Sequence, residues 1–125
     1  YMGEMQNGLM QGKGTLAFSG GGLYEGSFMK NQMHGFGEHT SSDGETYKGN
    51  FKNGQRHGFG LLTFKNGRVY EGKFSNNQPH GEGSLSLEGG EIYKGQFKDG
   101  KIEGSGVCEN QEEKISCAYF LERGF

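Results

Sequence analysis

Residues 47–69 read YKGNFKNGQRHGFGLLTFKNGRV, and the fold follows from the recurrence of this 23-residue phrase along the chain. Its leading tyrosine, Tyr47, recurs as Tyr1, Tyr24, Tyr70 and Tyr93. Two positions later stands glycine (Gly3, Gly26, Gly49, Gly72, Gly95), and two further stands Met5, Phe28, Phe51, Phe74 or Phe97. A Gly-x-Gly signature follows at a fixed offset: Gly12 and Gly14, Gly35 and Gly37, Gly58 and Gly60, Gly81 and Gly83, Gly104 and Gly106. A short, fixed period means a linear array of units, each burying its apolar face against its neighbours, rather than one central core.

Within the phrase, Tyr47, Gly49 and Phe51 alternate with Lys48, Asn50 and Lys52, the period of a strand with one apolar and one wet face. Asn53-Gly54 then supplies residues that accept positive φ in a tight hairpin turn. A second strand is expected from Gly58 to about Phe64, with Gly58, Gly60, Leu62 and Phe64 on one face, closed by Lys65-Asn66-Gly67. The chain therefore reads as all-β: an elongated, single-layer antiparallel sheet of tandem hairpins. Two strands per repeat advance such a sheet by roughly 10 Å. The glycines at the third, twelfth and fourteenth positions are expected to make room for tyrosine and phenylalanine rings of neighbouring strands. Five repeats are assigned, 1–23, 24–46, 47–69, 70–92 and 93–118, with 119–125 as a degenerate sixth repeat or a C-terminal cap.

The 125 residues are only 30% hydrophobic and include 26 glycines, which argues against a thick two-layer core. No apolar run approaches the roughly 20 residues of a helical membrane span. The chain opens on the first residue of a repeat without an initiator methionine, as expected of a segment of a longer protein. The net charge of −2 conceals a pattern. The first repeat is neutral and the second is acidic (Glu25, Glu38, Asp43 and Glu45 against Lys30). The third carries Lys48, Lys52, Arg56, Lys65 and Arg68 with no acid, and the fourth is acidic again. A partner that reads charge would meet an alternating strip.

Tyr-x-Gly-x-Phe followed by Gly-x-Gly, repeated every 23 residues from 1 to about 107, resembles the MORN (membrane occupation and recognition nexus) repeat. Repeats 1, 3 and 4 match best; repeat 2 departs at His39 and Ser41, and repeat 5 after Gly106. The resemblance implies antiparallel hairpins whose aromatic face forms a groove. It also implies a role as a protein scaffold or in binding acidic phospholipids, within a cytoplasmic protein associated with cytoskeleton or membrane.

No arrangement of catalytic residues is apparent. Gly12-Lys13-Gly14 lacks the following helix that a phosphate loop needs, and no serine, histidine and acid are grouped. His34, His57 and His80 recur at the eleventh position of repeats 2, 3 and 4, roughly 10 Å apart, too far to share a metal; they are expected to support turns. Cys108 and Cys117 read first as free thiols, with a disulfide or an intermolecular zinc link as alternatives. No cofactor, metal or nucleic acid is implied. What remains is binding. Tyr24, Phe28, Tyr47, Phe51, Leu62, Phe64, Tyr70 and Phe74 are expected to form a groove that a single sheet leaves partly open, for a partner helix, an extended peptide or a second copy. Lys48, Lys52, Arg56, Lys65 and Arg68 would select for charge, or would hold acidic lipid in the runner-up reading.

Overall fold

A computed structural model of the chain describes residues 1–104, 106–110 and 113–115. Every repeat gives a hairpin, because alternating side chains flank a turn whose two central residues both take positive φ. Those pairs are Asn7-Gly8, Lys30-Asn31, Asn53-Gly54, Asn76-Asn77 and Asp99-Gly100; at Asn53-Gly54 the angles are 52° and 80°. Turns of this hand match the twist of the strands they join.

The strands in order are β1 (Met2–Gln6), β2 (Leu9–Ala17), β3 (Gly22–Met29), β4 (Gln32–Ser41), β5 (Thr46–Lys52), β6 (Gln55–Thr63), β7 (Val69–Ser75) and β8 (Gln78–Ser86). They continue as β9 (Glu91–Lys98), β10 (Lys101–Ile102), β11 (Val107–Asn110) and β12 (Glu113–Ile115). All lie in one antiparallel sheet in chain order, except that the short β10 and then β11 both pair with β9. Phe64 lies beyond the end of β6, contrary to the expected strand: its amide bonds to the Arg68 carbonyl at 2.8 Å and opens the turn to the next repeat.

The glycines at the third and fourteenth positions face one another across successive strands: Gly26 opposite Gly37, Gly37 opposite Gly49, Gly49 opposite Gly60, Gly60 opposite Gly72 and Gly72 opposite Gly83. On the inner face, tyrosine covers this row. A Cβ on Gly37 would fall within the Tyr24 ring, and one on Gly60 within the Tyr47 ring. The glycine at the twelfth position has a different task from the one expected. Gly12, Gly35, Gly58, Gly81 and Gly104 hold φ between 70° and 94°, whereas a Cβ on Gly58 would come no closer than 3.8 Å to its nearest neighbour. It serves backbone conformation rather than ring clearance.

A bulge follows the third-position glycine in each complete hairpin, between Gly26 and Phe28, Gly49 and Phe51, and Gly72 and Phe74. The bulged residue is thereby released from the ladder, and its carbonyl takes the buried tyrosine hydroxyl. Tyr24 donates to Ser27 O at 2.7 Å, Tyr47 to Asn50 O at 2.8 Å and Tyr70 to Lys73 O at 2.7 Å. Neighbouring hairpins are also latched at their turns, as Asn31, Gly54, Asn77 and Gly100 donate backbone amides to the carbonyls of Met10, Met33, Arg56 and Pro79.

Candidate interaction surface

The inner face is finished by the chain itself. Phe28 and Phe51 flank Tyr24 edge-on, with ring centroids at 5.0 and 5.1 Å; Phe51 and Phe74 flank Tyr47, and Phe74 and Phe97 flank Tyr70. Each phenylalanine is wedged between the tyrosine of its own repeat and that of the repeat before it. Edge-to-face pairs of this kind add roughly 0.5–1.5 kcal/mol each beyond their burial. Tyr24, Phe28, Tyr47, Phe51, Leu62, Tyr70 and Phe74 are consequently all 5% exposed or less, and Phe64 is partly buried against them. The expectation that a single sheet leaves this face partly open is corrected. Alternation along a flat strand suggested a half-covered face, but the ring wedge covers it within the sheet.

Burial pushes the hydroxyls of Tyr24 and Tyr47 up to about 12, opposed in Tyr47 by the Arg56 charge; Tyr70 is raised further. A polar notch interrupts the inner face. His39 stands on β4 opposite Tyr47, in the place that Leu62 and Leu85 take beside Tyr70 and Tyr93. Together with Ser41, Glu45, Arg56 and Asn77 it lines a notch of 280 Å3. Desolvation, followed by the Arg56 charge, lowers the His39 pKa.

The basic third repeat does not present five available cations. Arg56 sits opposite Phe51 where other hairpins have Met33 or Pro79. Its guanidinium lies 5.4 Å from the Phe74 centroid and donates to Asn77 Oδ1 at 2.9 Å and to Asn77 O at 2.7 Å. Arg68 is paired with Glu88 at 3.1 Å, its side chain only 12% exposed. Lys48 stands 3.8 Å from Glu38 on the outer face. Lys52 and Lys65 are exposed but lie beyond opposite ends of the intervening β6, whose nine residues extend up to roughly 26 Å. The cations are therefore spread over the repeat instead of forming one patch.

Of the histidines, His80 receives the Asp99 amide through Nδ1 at 3.4 Å, joining β8 to the turn of the last repeat; His34 and His57 lie within β4 and β6. Cys108 is buried on β11 and disulfide-bonded, which corrects the free-thiol reading. The spacing of the two cysteines carried no geometry, whereas the β11–β12 hairpin returns the chain alongside Cys108. Cys117 and the proposed cap at 119–125 lie outside the described residues. Among the described residues no group of three or more His, Cys, Asp or Glu side chains is placed to hold a metal ion.

In the middle repeats the exposed aromatic side chains are on the other side of the sheet. Phe36 and Phe59, the central residues of Gly-x-Gly in repeats 2 and 3, are 64% and 62% exposed. They stand on β4 and β6 at equivalent positions, facing Asn50 and Lys73 on the next strands. Lys73 Nζ lies 5.5 Å from the Phe59 ring centroid. A trough of 590 Å3 runs across the strands here, lined by both phenylalanines with Lys48, Leu61, Glu71 and Glu82 and floored by Gly49, Gly60, Gly72 and Gly83. A second trough of 520 Å3, bounded by Phe36, Lys13, Glu25 and Glu38, continues towards β1. Sequence reading passed over Phe36 and Phe59. The signal was present in the alternation itself, which puts the middle residue of Gly-x-Gly on the wet face.

The MORN repeat model matches the chain in five copies, at residues 1–23, 24–46, 47–67, 70–91 and 93–110. MORN repeats are in general protein- or membrane-interaction motifs. Comparison with curated proteins finds no match. Given the five matched copies and the single open sheet of hairpins that they build, the chain belongs to the MORN repeat family.

Proposed function

We propose that the chain is a non-catalytic scaffold that docks a protein partner, a helix, an extended segment or another copy of itself, on the outer face of its sheet. The observation that carries this reading is the contrast between the two faces. The inner rings are buried within the chain, while Phe36 and Phe59 stand more than half exposed beside a trough. Exposed aromatics rimmed by charge are the usual composition of a docking patch. Attachment to acidic lipid is less well supported, because Arg56 and Arg68 are held by Asn77 and Glu88, which leaves Lys52 and Lys65 far apart. Each basic side chain near an anionic surface contributes only about 1 kcal/mol.

The test places a photo-crosslinking phenylalanine analogue at position 36 or 59, with position 98 as control. Discrete protein adducts from positions 36 and 59, absent from position 98, are expected. Phosphoinositide vesicles provide the opposing arm. Salt-sensitive co-sedimentation that is lost in Lys48→Glu/Lys52→Glu/Lys65→Glu, without protein adducts, would replace the scaffold by the membrane reading.

A further inference from the structure

The outer face has two rows of side chains, one on each side of the glycine row. In successive strands from β2 to β9 the first row runs Thr15, Glu25, Glu38, Lys48, Leu61, Glu71, Ser84, Lys94. The second row, two residues away on each strand, runs Lys13, Ser27, Phe36, Asn50, Phe59, Lys73, Glu82, Gln96. We propose that this face pairs with the same face of a second copy of the chain, about a twofold axis running along the glycine row.

Such an axis keeps each strand over its own counterpart and exchanges the two rows. Every outer residue then meets the residue two positions away in the other copy. Glu71 meets the second copy's Lys73 and the reverse, giving two symmetric ion pairs. Phe59 meets Leu61, and Phe36 lies along the stem of Glu38. Lys48 meets Asn50, Glu25 meets Ser27, Ser84 meets Glu82 and Lys94 meets Gln96. No like charges are opposed anywhere along the strip.

The charge order also rejects a twofold axis running along β5. That axis would place Lys48 over Lys48 and Glu25 over Glu71, and like charges brought together in this way are strongly disfavoured. The arrangement along the glycine row is isologous, as closed dimers are. Twisted sheets packed face to face stay within about 30° of alignment, so contact is closest near β6 and opens towards the ends. The strip from β2 to β9 is about 34 Å long and narrow.

The pairing rests on the interaction reading above and is tested separately from it, by sedimentation velocity of the chain over a wide concentration range. The wild type is expected to pass from monomer to dimer. Glu71→Lys and Lys73→Glu should each weaken the dimer by about tenfold or more, because each opposes like charges, and Glu71→Lys/Lys73→Glu together should restore it. Phe59→Ser should also shift the chain to monomer. All three positions are exposed, and unchanged circular dichroism confirms that the variants remain folded. A chain that stays monomeric throughout, or a double variant no better than the singles, overturns the pairing. Protein adducts at Phe36 and Phe59 from a monomeric chain would preserve the scaffold while removing the self-association.

Discussion

The ring of Tyr47 lies against the backbone of Gly60 so closely that a methyl group on Gly60 would occupy the ring. Gly60 in turn faces Gly49 and Gly72 across its two strand neighbours, so the ring rests where three strands have no side chains. The hydroxyl reaches past them to Asn50 O. Ring, glycine and bulge make up one device that recurs along the array.

The two kinds of glycine should separate under mutation. Gly60→Asn must displace the Tyr47 ring and is expected to cost about 3 kcal/mol. Gly58→Asn meets only ordinary contact with Asn50, and asparagine tolerates a φ of 70°, so its cost should stay within about 1 kcal/mol. Urea unfolding of both variants checks this, and equal losses would refute the division of roles.

Removing a tyrosine hydroxyl isolates the polar half of the device. Tyr47→Phe leaves the ring in place but strips the Asn50 carbonyl of its partner, with an expected loss of about 1–2 kcal/mol. The same change at Tyr70 should cost a similar amount. Thermal melts of the two variants provide the comparison.

Alkali should unfold the chain. The hydroxyls of Tyr24 and Tyr47 are raised from the ordinary value of 10.0 to about 12 in the folded state. Between those values the unfolded chain releases protons that the folded chain keeps. Their contribution to stability is therefore complete below pH 10 and declines as pH rises towards 12. Absorbance of tyrosinate against pH should show a late, cooperative component that coincides with loss of β-sheet circular dichroism.

His39 should make the array sensitive to mild acid. Its folded pKa is lowered from 6.5, so the unfolded chain takes up the proton first, and stability falls as pH drops from 6.5 through the folded value. Of the groups around it, Arg56 opposes the protonated ring, while Glu45 lies on the same notch and favours it. His39→Leu, which copies repeats 3 and 4, should raise stability by about 1 kcal/mol at neutral pH and flatten this acid slope. A slope that is unchanged in His39→Leu would assign it to other groups.

Arg56 can be exchanged for what its sister repeats carry. Arg56→Met loses the two guanidinium hydrogen bonds to Asn77 but restores an apolar residue beside Phe51, as Met33 provides beside Phe28. The expected change lies within about 1 kcal/mol of zero. Arg56→Glu puts an unpaired acid against the ring wedge and should destabilise by several times as much. Denaturant midpoints distinguish the two.

The hairpins, their turns and the placement of tyrosine over glycine were legible in the sequence because each is a local consequence of residue type at a fixed spacing. The burial of the inner face was not legible. It depends on Phe51 reaching Tyr24 across a repeat boundary, and no alternation within one strand encodes that contact. The fate of Arg56 and Arg68 was hidden for the same reason. Their partners, Asn77 and Glu88, are 21 and 20 residues away and meet them only once adjacent hairpins pair. The exposure of Phe36 and Phe59 was legible, since strand alternation places the middle residue of Gly-x-Gly on the wet face. Composition of a patch, as in the five cations of repeat 3, says nothing about which of its members the fold has already engaged.

The turn latches and the shared phenylalanines have a consequence for how such a chain can be edited. Each joins a unit only to the one before it, and every unit offers its successor the same carbonyl and the same tyrosine edge. Excising residues 47–69 in frame would therefore deliver Phe74 to the seat against Tyr24 that Phe51 now fills, and Asn77 to the carbonyl of Met33 that Gly54 now takes. What such a splice would lose is spacing of charge, because the acidic second and fourth units would become neighbours. The number of units is thus a length the protein can change without redesigning its interior, limited by electrostatics between units rather than by the packing of any one of them.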